Sequence, residues 1–276
     1  MLPNLIIIGG MKCGTTSLHY YLHQHPQISM CREKELNFFI LEHNWHKGIE
    51  WYQSNFVGEE KVHGEASPGY TNPFFDRVPE RMHSIVPHVK LIYILRDPID
   101  RIISHYIDYY ATRRENRKLA DAVRDLDDNP YILQSRYYTQ LRRYLDYYVK
   151  GKILIITLED LHRDPRQILK DVFGFFDVDS SFYSPSFSIV KHASSSKRRL
   201  NRFGHFLAQT VGLRIVARLP PDIRQRSRIL LSLPLSRKIE PPVLSDSLRK
   251  DLIDNLRDDI NRLREFTGKD FEDWCL

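Results

Sequence analysis

The sequence is poor in cysteine, in long apolar runs and in metal-ligand spacings, and each shortage narrows the classes of protein it can encode. Its three cysteines, at positions 13, 31 and 275 of 276 residues, form an odd and scattered set, so we expect reduced thiols in a cytoplasmic protein and no metal site. The apolar runs are of strand length, far below the roughly 20 residues of a membrane span. Because the first residues enter a strand without a basic region or a cleavage site, we expect no signal peptide.

Acidic residues are scarce in one part of the chain, and this part makes the whole protein basic. Residues 191–238 contain twelve Lys and Arg but a single acid, Asp222, a balance of +11; since the net charge is +6, the remainder sums to −5. This basic segment predicts a polyanionic partner, such as a phosphate ester, a lipid headgroup or an acidic glycan. With 42% hydrophobic and 28% charged residues, the composition is that of a globular protein, and we expect one α/β domain over residues 1–276.

The start of the chain predicts a phosphate-binding loop. Residues 6–8 form an apolar, β-branched run that is typical of a buried parallel strand. Glycines at 9, 10 and 14 then allow a sharp turn that brings backbone N–H groups close to an anion. Thr15, Thr16 and Ser17 can cap the helix that follows, whose positive end points into the loop. An anionic ligand is therefore expected.

The position of the lysine separates this loop from those of the nucleoside triphosphatases. Their loop reads G-x4-G-K-[ST], with the lysine directly after the last glycine and a hydroxyl that holds magnesium. Here Lys12 comes two residues before Gly14, and Thr15 follows that glycine. The loop resembles instead the 5′-phosphosulfate loop of the sulfotransferases, which use 3′-phosphoadenosine 5′-phosphosulfate (PAPS). The resemblance implies that six consecutive residues bind this donor, namely Lys12, Cys13, Gly14, Thr15, Thr16 and Ser17.

A charge-rich connection follows at residues 27–41 and ends near a pair of phenylalanines at 38 and 39. It resembles the corresponding region of heparan sulfate N- and O-sulfotransferases, where a glutamate ahead of the paired phenylalanines is the catalytic base. The resemblance assigns that role to Glu35, with Lys12 stabilising the leaving group. Glu33 lies two residues away, and an alignment shift would exchange the two glutamates. A solvated surface is the alternative interpretation of this connection.

Residues 63–70 predict a strand and its exit loop. In the glycan sulfotransferases this stretch, of the form Glu-Lys-[Ser/Thr]-x-x-Tyr, lines the acceptor cleft. The resemblance therefore implies acceptor contacts for Glu65, Ser67 and the nearby Asn37, and a purely structural strand exit with a Pro-Gly turn is the alternative. Ala66 stands where those enzymes carry a lysine that contacts the sugar chain, which puts heparan-type specificity in doubt.

A second nucleotide motif lies at residues 90–106. An apolar strand precedes Arg96, Asp97 can cap the next helix, and Pro98 occupies its first turn. Because strand ends and helix starts meet at one edge of a parallel sheet, we expect Arg96 and Ser104 to converge near the first loop. In sulfotransferases an arginine and a serine eight residues apart hold the 3′-phosphate of PAPS, and this sequence keeps that spacing.

The basic segment and the chain end predict further features. The serine-rich run at 192–199 resembles a loop that closes over the 3′-phosphate in related enzymes, which implies donor contacts for Lys197 and Arg198. Residues 200–240 form a basic, partly helical insertion, and its amphipathic helix would contact the anionic inner face of the membrane; packing on the core is the alternative. An amphipathic helix follows at about 245–267.

The two motifs, with the order of helices and strands, resemble the PAPS-dependent sulfotransferase superfamily, nearest to its carbohydrate-directed branch. The resemblance implies a P-loop-type α/β fold, a parallel sheet flanked by helices in a three-layer sandwich, with PAPS across the carboxyl ends of the strands. It also implies sulfuryl transfer to a hydroxyl or amine of a carbohydrate or glycolipid, with no metal and no nucleic-acid partner. Two alternatives stay open. A P-loop kinase or NTPase would depend on magnesium, and a non-catalytic polyanion-binding module would bind without turnover.

Overall fold

The structure, a computed structural model, describes residues 1–189, 197–201 and 236–276. The chain divides into two compact units. The first comprises Met1–Ile102, Asp125–His192 and Ser245–Leu276, and the second comprises Ile103–Arg124 and Ala193–Leu244. Most of the insertion predicted at 200–240, including its amphipathic helix, lies outside the described residues.

The first unit is built on a five-stranded sheet in which every neighbouring pair is parallel. Its strands are β1 (Leu5–Gly9), β2 (Ile28–Met30), β3 (Val62–Ala66), β4 (Lys90–Leu95) and β5 (Ile153–Thr157). Their spatial order is β2-β3-β1-β4-β5. Because β1 is the central strand, the loop that follows it opens in the middle of the carboxyl edge, where sheets of this type bind their ligands.

Helices cover both faces of this sheet. The helices of the described chain are α1 (Thr15–Leu22), α2 (Gly48–Gln53), α3 (Val78–Ile85), α4 (Pro98–Ala111), α5 (Leu119–Ala122), α6 (Pro130–Leu133), α7 (Tyr137–Leu145), α8 (Leu158–Arg163), α9 (Pro165–Phe175) and α10 (Asp246–Thr267). Leu5 and Ile7 of β1 pack with α1, α8 and α9, whereas Ile6 and Ile8 pack with α2, α3, α7 and α10. The alternation follows from the two-residue period of a strand. This is the three-layer α/β fold that the sequence predicts, and the fold class is confirmed.

The second unit contains the end of α4, the short helix α5 and a two-stranded antiparallel sheet. This sheet pairs β6 (Arg198–Leu200) with β7 (Ser236–Lys238). Among the helices described in either unit, none combines the length and the apolar composition needed to cross a membrane.

Candidate active site

The loop between β1 and α1 has the geometry of an anion site. Gly14 is the N-cap of α1 with φ of 91°, and a Cβ there would lie 2.5 Å from Leu158 Cδ1, so conformation and space both require glycine. Thr15, Thr16 and Ser17 form the first turn, and the N-cap residue Gly14 provides no side-chain cap. The hydroxyl residues thus lie inside the helix rather than at its cap, and the positive end of the helix faces the loop, where it favours an anion.

Two side chains of this loop differ in exposure. Lys12, with φ of 71°, is partly exposed beside the turn. Cys13 is fully buried, and its Sγ lies 3.7 Å from the hydroxyl oxygen of Tyr137. Burial raises the pKa of the Cys13 thiol to about 11, so the thiol stays neutral and forms part of the floor of the loop.

Lys34 joins the loop to the glutamate that the sequence predicts as the base. Its Nζ lies 2.7 Å from Thr16 Oγ1, 3.5 Å from Thr15 Oγ1 and 3.4 Å from Glu35 Oε1. The Lys34 side chain is only 22% exposed. Burial lowers the pKa of the Lys34 amine and nearby Lys12 lowers it further, while Glu35 acts in the opposite direction. Two lysines therefore lie close to the start of α1, where an anion would be stabilised.

The turn that carries Glu35 has an unusual backbone. Glu35 and Asn37 both adopt the left-handed region, with φ of 65° and 48°, and such strain is held only where surrounding contacts fix it. Here Glu35 N donates to Ala66 O at 3.0 Å, and Asn37 N donates to Ser67 Oγ at 3.0 Å. The Glu35 side chain is 54% exposed on this fixed turn. Glu33 is also exposed, and its carbonyl accepts a hydrogen bond from the thiol at position 31.

The buried carboxylate of Glu65 supports the turn of Glu35 through a hydrogen-bond network. Glu65 accepts hydrogen bonds from Tyr52 (2.6 Å), Tyr70 (2.9 Å) and Ser67 (2.7 Å), and the Tyr70 hydroxyl in turn accepts from Phe38 N at 3.0 Å. Burial raises the pKa of Glu65, and the three hydroxyl donors oppose that rise. Glu65 and Ser67, which the sequence predicts as acceptor contacts, are both fully buried beneath the turn. Asn37, the third of these residues, is partly exposed.

Arg96 follows β4 at the carboxyl edge of the sheet. Its Nη2 pairs with Asp100 Oδ2 at 2.9 Å, and its side chain is 23% exposed. The carbonyl of Arg96 accepts a hydrogen bond from the Tyr137 hydroxyl at 2.8 Å, and the same hydroxyl contacts Cys13 of the first loop. Tyr137 therefore ties the two nucleotide motifs of the first unit together.

The last residues of the chain brace the start of α4. Asp97 Oδ1 accepts from Asp100 N at 2.8 Å, the cap that the sequence predicts, and Asp97 Oδ2 accepts from Cys275 N at 2.7 Å. Glu159 accepts from Asp97 N at 2.9 Å and from Trp274 Nε1 at 3.2 Å. Together with the Tyr137 hydrogen bond, the contacts from Glu159 and Cys275 fix the backbone that carries Arg96.

The remaining residues predicted for the donor belong to the second unit. Ser104 is buried within α4. Lys197 forms an ion pair with Asp108 of the same unit. Arg198 donates to Ser236 at both its Oγ (2.8 Å) and its carbonyl (2.9 Å), which joins β6 to β7. Their roles toward a nucleotide stay predictions.

Comparison with known proteins identifies the family. The family model for the sulfotransferase domain matches residues 2–210, which include the first loop, the Glu35 turn and Arg96. The chain belongs to the sulfotransferase family. This confirms the resemblance found in the sequence motifs.

The sulfotransferase is similar to curated and solved members of the family. It is 28% identical over 197 residues, 64% of this chain, to the bifunctional heparan sulfate N-deacetylase/N-sulfotransferase 2 of Homo sapiens. It is 42% identical over 110 residues, 38% of this chain, to the membrane-associated sulfotransferase kil1 of Dictyostelium discoideum. In both cases the match spans only 22% of the relative's own length. A sulfotransferase from Alicyclobacillus acidocaldarius shares the fold, with a TM-score of 0.73 over 99% of both chains at 23% identity.

Sequence reasoning missed Lys34 in this sulfotransferase. The residue lies in a run of alternating charges, which is typical of a solvated surface, and no periodicity marks it. The sequence signal that could have indicated Lys34 is its position directly before Glu35, because neighbouring residues lie on the same turn. Its contact with Thr16 joins residues 18 positions apart and emerges only from the fold.

Proposed function

We propose that this sulfotransferase chain moves the sulfuryl group of PAPS to a hydroxyl or amine of a carbohydrate or glycolipid. The observation that carries the proposal is the Lys34 ammonium, which lies between the anion loop at Thr16 and the carboxylate of Glu35. One side chain thereby contacts both the proposed anion loop and the proposed base. In-line transfer from an anionic donor to an acceptor is favoured when these two elements lie close together.

In the proposed reaction the acceptor oxygen or nitrogen attacks sulfur, and the bond from sulfur to the bridging oxygen of the 5′-phosphate breaks. The electron pair of that bond leaves with 3′,5′-ADP, and the acceptor proton passes to Glu35. Lys12 and the first-turn amides of α1 stabilise the negative charge that develops on the bridging oxygen. Little covalent chemistry falls to the protein, so positioning and charge stabilisation set the rate, as in phosphoryl transfer.

The donor assignments follow from the first loop and from Arg96. Residues 12–17 provide the amides, the hydroxyls and Lys12 for the 5′-phosphosulfate. Arg96, partly exposed at the carboxyl end of β4, is proposed for the 3′-phosphate because a guanidinium binds phosphate with charge-assisted hydrogen bonds. The sequence also supports three further contacts to the 3′-phosphate, and we keep them as proposals: Ser104, Lys197 and Arg198.

A carbohydrate acceptor is supported by the relatives whose names include heparan sulfate. Asn37 is proposed to contact the acceptor because it is partly exposed on the turn of Glu35. Glu65 and Ser67 are proposed to act by holding that turn. A cytoplasmic location with peripheral contact at the inner membrane face is supported by the basic segment. Sedimentation with anionic but not neutral vesicles at low salt would support this location, and a protein that stays in the supernatant with both would overturn it.

The experiment is transfer of label from ³⁵S-PAPS to a panel of acceptors, comprising desulfated heparin, a glycolipid extract and a host extract. We expect incorporation that EDTA does not reduce, and loss of incorporation in Lys12→Ala. Transfer of the γ-phosphate from ATP that requires magnesium, without any ³⁵S incorporation, would instead support a P-loop kinase. Binding of labelled donor without turnover across the panel and the host extract would support a binding module.

A further inference from the structure

We propose that Lys34 binds the sulfonate of PAPS and is the residue that distinguishes PAPS from the product 3′,5′-ADP. The inference rests on the proposed function and names a donor contact that the sequence motifs leave out. It starts from the position of the ammonium, which contacts the first turn of α1 on one side and Glu35 on the other.

The position of Lys34 is fixed by the backbone on both sides of it. Three residues earlier, Cys31 N donates to Gly64 O at 2.8 Å, and Cys31 O lies 3.2 Å from His19 Nε2 on α1. On its other side, Glu35 N donates to Ala66 O at 3.0 Å. Lys34 therefore projects from a segment anchored to both α1 and β3, and its ammonium is held beside the loop rather than ranging over the surface.

Within the part of the chain that the structure describes, the charge of Lys34 is compensated by one loose ion pair. Two of its contacts are neutral hydroxyls, and the carboxylate of Glu35 lies 3.4 Å away on a side chain that is 54% exposed. Lys12 adds a second positive charge nearby, whereas burial keeps His19 neutral by lowering its pKa to about 4. A partly buried ammonium in these surroundings gains from an added anion. The first-turn amides supply hydrogen bonds for the same ligand.

The position of Lys34 between Thr16 and Glu35 indicates which anionic group of the donor it binds. The 5′-phosphate belongs with the first-turn amides and Lys12, while the acceptor proton must reach Glu35. The sulfonate has to lie between the 5′-phosphate and the acceptor, and Lys34 occupies that interval, in contact with both Thr16 and Glu35. After transfer the sulfonate leaves on the acceptor, so the contact is lost and 3′,5′-ADP is held less tightly than PAPS.

The test is calorimetric titration of PAPS and of 3′,5′-ADP, without acceptor, into the full chain and its Lys34→Gln variant. We expect the substitution to weaken PAPS binding about 10- to 100-fold, as for the loss of one charge-assisted hydrogen bond, and to change 3′,5′-ADP binding by less than about threefold. Lys34→Arg, which keeps the charge, should recover most of the PAPS affinity. Lys12→Gln should weaken both ligands.

Three outcomes would overturn the inference. Equal weakening of both ligands in Lys34→Gln would place Lys34 at the 5′-phosphate or make it a support of the loop. Unchanged affinity for both would remove it from the donor site, and failure of Lys34→Arg to recover PAPS binding would argue against a charge contact. Lys170→Gln, on the exposed side of α9, is the matched control and should leave both affinities unchanged. If the unsubstituted chain bound neither nucleotide, the proposed function itself would fail.

Discussion

Glu35 and Glu33 stand two residues apart and form a matched pair for testing the base. Glu35→Gln should lower turnover by about 10² to 10⁴, the range for general acid–base groups, because the amide cannot accept the proton of the acceptor group. Binding of 3′,5′-ADP should stay nearly unchanged. Glu33→Gln is the control, and steady-state rates with calorimetry measure both. Should Glu33→Gln abolish turnover while Glu35→Gln is silent, the base is misassigned.

Glu65 is a second residue whose ionisation can be tested. Because its pKa is raised, the folded state keeps the proton to higher pH than the unfolded state, and the free energy of unfolding falls as pH rises above about 4.5. Glu65→Gln lacks this fall. At pH 4.5 the variant should be less stable by about 1–2 kcal/mol, since a hydroxyl donor loses its acceptor. The deficit should shrink as pH rises.

Urea unfolding of both proteins between pH 4.5 and 8 measures that deficit. The pKa of Asp259 is raised by burial in the same direction, but it is present in both proteins and cancels in the difference. A deficit that grows with pH would mean that the three hydroxyl donors outweigh burial and that the Glu65 pKa is depressed.

At the residue scale, the sequence indicated which side chains to consider for the site but not how far each of them is exposed. Glu35 lies on an exposed turn beside the loop, and its role as the base stays a prediction. Glu65 and Ser67 were predicted to face an acceptor, but they lie fully buried. Tyr52 of a separate helix donates a hydrogen bond to Glu65, and no local pattern in the strand reveals such a partner.

At the scale of elements, Tyr137 at the start of α7 connects the first loop to the end of β4. Tyr137→Phe removes the hydroxyl that donates to the Arg96 carbonyl, which is left without that donor. We expect the free energy of unfolding to fall by about 1–2 kcal/mol and 3′,5′-ADP to bind about 2- to 10-fold more weakly. Chemical denaturation and calorimetry measure these changes.

Tyr138→Phe, one residue further along α7, is the control for this prediction. Its ring packs against Phe266, so the substitution keeps the packing and should change neither property appreciably. If the two variants behaved alike, the hydroxyl of Tyr137 would not connect the two motifs.

The sequence predicted long elements with a clear apolar pattern better than short ones. β1, β4 and β5 have the continuous apolar sequences that are typical of buried parallel strands. β2 was not predicted, because a strand of three residues at the start of a charged connection is too short to show an apolar pattern. After β5 the chain forms α8 and then α9, since Thr157 and Asp164 each cap a helix.

At the scale of the whole molecule, the sequence predicted the class of fold but not how the chain braces its own site. A parallel sheet flanked by helices follows from alternating buried strands and amphipathic helices. The contact of Cys275 with Asp97 joins residues 178 positions apart, and local sequence carries no signal for it. Division into two units likewise depends on contacts between distant segments.

The central claim is that the chain uses a nucleotide with a 3′-phosphate, and calorimetry with 3′,5′-ADP and 5′-AMP tests it most directly. If Arg96 holds the 3′-phosphate, 3′,5′-ADP should bind about 10- to 150-fold more tightly than 5′-AMP, as expected for about 1.5–3 kcal/mol from a charge-assisted contact. Arg96→Ala should reduce that preference while leaving 5′-AMP binding unchanged. Equal affinity for the two nucleotides in the unsubstituted chain would contradict the account.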